Sequence, residues 1–139
     1  MNQALMQKCS EGAVAADTTR VLVIDDSNTI RRSAEIFLKQ GGYTVVLAED
    51  GFDALAKVND HQPHVIFCDI LMPRLDGYQT CAIIKRNPKF SGVPVIMLSS
   101  KDGLFDKARG RMVGSEDYLT KPFTKDQLLA AVQQHRRAP

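Results

Sequence analysis

Five short apolar runs set the terms for this fold: residues 21–24, 43–47, 65–68, 95–98 and the pair Tyr118-Leu119. Each is rich in β-branched residues or Leu, too short for a helix and stopped by polar residues, which is the pattern of a buried strand. The stretches between them carry apolar residues at helical spacing. Ile30, Ala34, Phe37 and Leu38 share a face in 27–40, Phe52, Leu55 and Ala56 in 50–59, Leu104, Ala108 and Met112 in 103–112, and Leu128, Ala131 and Val132 in the last helix. A further helix is expected over 76–86. Gly41-Gly42, Asn87-Pro88 and Gly114 supply stops, and Thr124 with Gln127 has the spacing of a capping box. Strands that are apolar on both faces suit a parallel sheet covered on each side, and the crossovers must then be right-handed. The expected architecture is α/β: a doubly wound (βα)5 three-layer sandwich around a five-stranded parallel sheet.

The chain is long enough, at 139 residues, for one domain with a substantial core. Residues 1–19 show no period and are expected to form a flexible leader before a domain over 20–136. A net charge of +2, with Lys and Arg scattered and clustered only at Arg136-Arg137, predicts no nucleic-acid partner. The three cysteines, Cys9, Cys68 and Cys81, have no metal-binding spacing, and two fall in buried-looking segments. They fit reduced thiols of a cytoplasmic protein. No run of 18 apolar residues and no signal-peptide core occurs, so neither export nor membrane insertion is expected.

Parallel strands place their carboxyl ends on one edge, which is where open α/β sheets bind ligands. The first strand delivers Asp25 and Asp26 there, the third Asp69, the fourth Ser99 and the fifth Lys121. Taken singly, each has a plain structural explanation: a loop acid, a helix cap, a turn serine, a solvated lysine. Their joint arrival at one edge points to a site. Two unit charges about 4 Å apart repel by roughly 4 kcal/mol at an effective dielectric of 20, so three carboxylates facing one ammonium need proton uptake or a cation. Oxygen ligands without His or Cys favour a hard ion, and a small set completed by water suits Mg²⁺ better than Ca²⁺. Such an ion beside a hydroxyl and an ammonium can neutralise a phosphoryl group. With no Gly-rich phosphate loop to hold a nucleotide, Asp69 is the candidate nucleophile, forming an acyl phosphate on its own side chain.

The segments Val23-Ile24-Asp25-Asp26, Asp69-x-x-Met72-Pro73-x-x-Asp76-Gly77, Ser99-Ser100 and Lys121-Pro122-Phe123, in this order, resemble the receiver domain of two-component response regulators, of the single-domain chemotaxis type. The similarity runs over about residues 20 to 136. It implies a flavodoxin-like strand order 2-1-3-4-5, which puts the second strand, with Glu49-Asp50, outermost. It also implies Asp69 as acceptor of phosphate from a sensor histidine kinase. Mg²⁺ would be held by Asp26, Asp69 and the backbone carbonyl of Leu71, with Asp25 acting through water. Lys121 would pair with the phosphoryl oxygens, Ser99 would move to bond one of them, and Tyr118 would turn inward as the switch aromatic. The Lys121-Pro122 bond is expected to be cis on the resemblance alone.

On this reading, phosphorylation repacks the surface of the fourth helix, fifth strand and fifth helix to control a downstream effector protein, and the chain catalyses only its own phosphorylation and dephosphorylation. Longer segments, including 50–57, 73–81 and 99–107, narrow the resemblance to regulators of type IV pilus twitching motility within chemosensory systems. The expected state is a monomer, with phosphorylation-linked dimerisation left open. Where many members carry Thr-Ala, this chain has Ser99-Ser100, which keeps the hydroxyl without the stiffening methyl. The alternative reading is a receiver-fold scaffold that binds partners without phosphorylation. A small-molecule phosphatase is disfavoured, since Leu71 stands where such enzymes need a second acid.

Overall fold

The computed structural model describes residues 19–100 and 106–136. Five strands alternate with five helices: β1 Arg20–Ile24, α1 Asn28–Gln40, β2 Thr44–Ala48, α2 Gly51–His61, β3 Val65–Asp69, α3 Gly77–Arg86, β4 Val95–Ser100, α4 Lys107–Val113, β5 Asp117–Lys121 and α5 Lys125–His135. All pairings are parallel and the sheet order is β2-β1-β3-β4-β5, the expected one.

The two faces of the sheet are built by alternation, as a period of two residues requires. Leu22 and Ile24 of β1, Ile66 and Cys68 of β3, and Val95 and Met97 of β4 pack with Ala54, Val58, Tyr78, Cys81 and Ile84 from α2 and α3. Val21, Val23, Val65, Phe67, Ile96 and Leu98 point the other way, against Ala34 and Leu38 of α1 and Leu128, Ala131 and Val132 of α5. β1, β3 and β4 are buried on both sides, whereas the edge strands β2 and β5 are only half-buried. That explains why the central runs carry no polar alternation.

Helix starts follow from local chemistry. Ser27, Asp50, Asp76, Asp106 and Thr124 each cap a helix by accepting a backbone N–H three residues on. The expected capping box at Thr124 and Gln127 is formed, and Asp76 with Gln79 forms a second. Gly42 (φ 90°) and Gly114 (φ 93°) take the left-handed conformation at helix ends. The Lys121-Pro122 peptide is cis.

Two helix faces differ from expectation. In α2 the buried residues are Gly51, Ala54 and Val58, while Phe52 is 53% exposed and Ala56 faces solvent. A Cβ built on Gly51 would lie 2.5 Å from the Thr80 hydroxyl oxygen and 2.8 Å from a Leu75 methyl, so the start of α2 sits too close to its neighbours for a large side chain. In α4 the inward residues are Gly110 and Val113, whereas Ala108 is exposed and Met112 is 87% exposed. Leu104 and the start expected at 103 lie outside the described residues.

Candidate functional site

The carboxyl edge of the sheet brings together the side chains expected there. One carboxylate oxygen from each of Asp25, Asp26 and Asp69 lies within 4.8 Å of the others. Lys121 reaches across from β5, its Nζ 3.2 Å from Asp25 Oδ2 and 3.0 Å from Asp69 Oδ1. A cleft of about 170 Å³ opens beside them, lined by Asp26, Asp69, Leu71, Ser99, Ser100 and Lys121 among others. Each strand end is held by the ladder: Asp69 pairs with Leu98, and Ser100 with Lys121.

The two acids that follow β1 have different surroundings. Asp25 is fully buried; its Oδ1 accepts the Ser27 N–H at 2.8 Å and its Oδ2 accepts from Lys121. The Arg31 guanidinium donates to the Asp25 carbonyl and ties the loop to α1. Asp26 is exposed. Both Asp25 oxygens thus have protein donors, while Asp26 opens on the cleft and on solvent. Residue types alone do not order this pair; the resemblance does, and the buried, doubly bonded Asp25 beside the open Asp26 is in keeping with it.

Ser99 is buried, and its hydroxyl donates to the Ser100 carbonyl at 3.3 Å. Leu71 lines the cleft while its side chain is 69% exposed. Tyr118 is half-buried at the edge of the α2–α3 core, with the Lys107 ammonium 5.5 Å from its ring centre. It stands apart from the cleft-lining residues, on the α4–β5 flank.

The third β–α loop is unusually tight. Gly77 donates its N–H to the Ile70 carbonyl at 2.9 Å, and a Cβ at Gly77 would lie 2.2 Å from the Asp69 carbonyl oxygen. No bulkier residue fits, so the Asp76-Gly77 pair that looked like a simple turn also fixes how Asp69 leaves its strand.

The electrostatics reflect three acids around one base. Burial, reinforced by the neighbouring Asp25 charge, pushes the Asp69 carboxyl up to about 7, against the pull of Lys121. For Lys121, burial alone would lower the value, but Asp25 and Asp69 together overcome it and hold the ammonium above its ordinary range. With every carboxylate ionised, three acids and one ammonium leave an excess of two negative charges. The donor set is all oxygen, and open oxygens belong to Asp26 and Asp69. That arrangement fits a hard divalent cation. Cys68 and Cys81 are free and buried; burial raises both thiols, Cys81 to about 12, so neither is a nucleophile.

Comparison with known proteins agrees with this geometry. Residues 21–133 match the model of the response regulator receiver domain, and the chain belongs to that family. It is a signalling module of the response regulator class and not a turnover enzyme. The chain is 65% identical over 120 residues to Protein PilG of Pseudomonas aeruginosa, covering 86% of this chain and 89% of that protein. Response regulator MprA of Mycobacterium ulcerans is 35% identical over 84% of the chain, which spans about half (49%) of that longer protein. Among solved structures, the chemotaxis protein CheY4 of Vibrio cholerae superposes with a TM-score of 0.81 at 32% identity, covering 85% of this chain and 98% of that one. Among the described residues no helix is long and apolar enough to cross a membrane.

Proposed function

We propose that Asp69 is the phosphoacceptor of this response regulator and takes its phosphoryl group from a phosphohistidine of a sensor histidine kinase. An Asp69 carboxylate oxygen attacks phosphorus, the O–P bond forms as the N–P bond breaks, and the electron pair returns to the donor imidazole. The observation that carries this reading is the position of Lys121, whose ammonium bonds Asp69 and Asp25 at once. It screens the acceptor from its neighbour and remains beside the acyl phosphate as a counter-charge.

Asp26, Asp69 and the Leu71 carbonyl would hold Mg²⁺, with Asp25 contributing through water. The ion would supply charge neutralisation for the phosphoryl oxygens. Once Asp69 carries a phosphoryl group with roughly two negative charges in place of its own one, Ser99 turns from the Ser100 carbonyl to bond a phosphoryl oxygen, and Tyr118 follows it inward. The result is a changed surface on α4, β5 and α5, where a downstream effector protein binds. Met112 and the Lys107–Tyr118 contact lie on that surface. The resemblance of residues 50–57, 73–81 and 99–107 to twitching-motility regulators supports a pathway that controls type IV pili and acts in the cytoplasm.

The test is phosphate uptake from acetyl phosphate with Mg²⁺ present, read by intact-protein mass. The chain gains one phosphoryl group and Asp69→Asn gains none. Equal uptake by the variant removes the assignment.

A further inference from the structure

A second groove, about 300 Å³, lies between α3 and α4, on a side of the molecule that neither the acidic cleft nor the Tyr118 flank uses. Leu75, Ala82, Ile83 and Val113 make it apolar, and among the described residues Arg86 and Arg109 are its only charged lining residues. Ile83 is 37% exposed although it sits mid-helix, so α3 presents an apolar residue here that the core does not use. The wall from α4 is fixed in place. The Asp106 N–H donates to the Tyr78 hydroxyl at 3.0 Å, the Arg109 guanidinium lies 4.3 Å from the Tyr78 ring centre, and the Cys81 thiol donates to the Val113 carbonyl at 3.4 Å.

Among the described residues the charge is only partly met. Arg109 approaches Asp76 at a long 3.8 Å, and the other Asp76 oxygen is already taken by the Gln79 N–H. Arg86 closes the last turn of α3, where a cation offsets the helix dipole, and its head is exposed. A concave apolar floor between two cationic rims matches a helix with an apolar stripe flanked by carboxylates. A flat anionic membrane cannot enter such a groove.

We propose that the α3–α4 groove is a docking site for an acidic amphipathic helix of a partner protein, distinct from the α4–β5–α5 surface. Its apolar stripe covers Ile83 and Val113, and its carboxylates meet Arg86 and Arg109. This inference does not depend on phosphorylation of Asp69.

The test uses the full chain, isotope-labelled for NMR, and a designed 16-residue helical peptide with leucines on one stripe and glutamates on both flanks. Amide shifts should concentrate in α3 and α4. Ile83→Asp, at an exposed position that leaves the fold intact by circular dichroism, should weaken binding at least tenfold. Arg86→Glu combined with Arg109→Glu should do the same and transfer preference to a peptide carrying lysines for the glutamates. Shifts confined to α5 and β5, no response to the arginine substitutions, or binding to anionic phospholipid vesicles in place of the peptide would each overturn the proposal.

Discussion

The α-carbon of Gly77 faces the main-chain carbonyl of Asp69 so closely that a methyl group there would stand 2.2 Å from its oxygen. The Ile70 α-carbon would be 2.7 Å away, so backbone, not a movable side chain, blocks the space. Alanine is the better helix former, yet Gly77→Ala must displace the loop that follows Asp69. We expect it to cost about 1–3 kcal/mol of stability, the range for forced overpacking, and to slow phosphate uptake. Urea unfolding together with an acetyl phosphate time course checks both, and an unchanged midpoint would contradict the close approach.

The raised Asp69 value makes stability depend on pH in a defined direction. Its carboxyl binds a proton up to about pH 7 when folded and only to the ordinary value of 3.8 when unfolded. Between these limits the folded state holds the extra proton, so stability contributed by this group is full below pH 4 and is lost as pH rises to about 7. The slope approaches about 1.4 kcal/mol per pH unit. A divalent cation favours the ionised form and flattens the fall. Denaturation of the chain and of Asp69→Asn at several pH values, with EDTA or with Mg²⁺, isolates the term. Parallel curves for both proteins in EDTA would show that Asp69 does not carry it.

Lys121→Met removes the cation that, among the described residues, alone touches both Asp25 and Asp69. Breaking a buried ion pair by deleting one partner costs about 3–5 kcal/mol, and here two acids are left facing each other. We expect a loss of that order in EDTA, partly restored by millimolar Mg²⁺. Restoration by Mg²⁺ separates electrostatic relief from simple loss of packing, because a cavity would not respond to the ion.

Glu116 offers the opposite case, with stability and signalling uncoupled. Its Oε1 accepts the Val95 N–H at 2.8 Å, and Lys85 Nζ lies 3.0 Å from Oε2 while also donating to the Val93 carbonyl at 2.6 Å. This network joins α3 to the entrance of β4 and β5, the end of the sheet away from the acids. Glu116→Ala leaves a backbone donor without its acceptor and should cost about 1–3 kcal/mol. Phosphate uptake by the folded fraction should stay as it is. A matching loss of uptake would mean that the two ends of the sheet communicate.

Much of this was legible in the chain because the strands are short, apolar on both faces and followed by functional residues. The central strands β1, β3 and β4 read clearly since burial on both sides leaves no room for polar alternation. The helix faces were less legible where packing is close. Large Phe52 attracts attention in a periodicity count, but α2 approaches α3 at Gly51, and small Ala54 turns inward instead. In α4, seven residues are too few to define a stripe, and Gly110 makes the inward contact that no hydrophobicity pattern reveals. At the site, the meeting of Asp25, Asp26, Asp69 and Lys121 follows from topology. The bonds that Ser27 and Arg31 make to Asp25, one to its carboxylate and one to its carbonyl, exist only once the loop is closed.

Lys121 and Asp25 are separated by 96 positions in the chain and meet only when the first and last strands have both joined the sheet. No shorter segment brings Lys121 to Asp25. On the proposed function, a growing or partly melted polypeptide is mute to a kinase, and the capacity to receive a signal becomes a report that both ends of the sheet have been assembled.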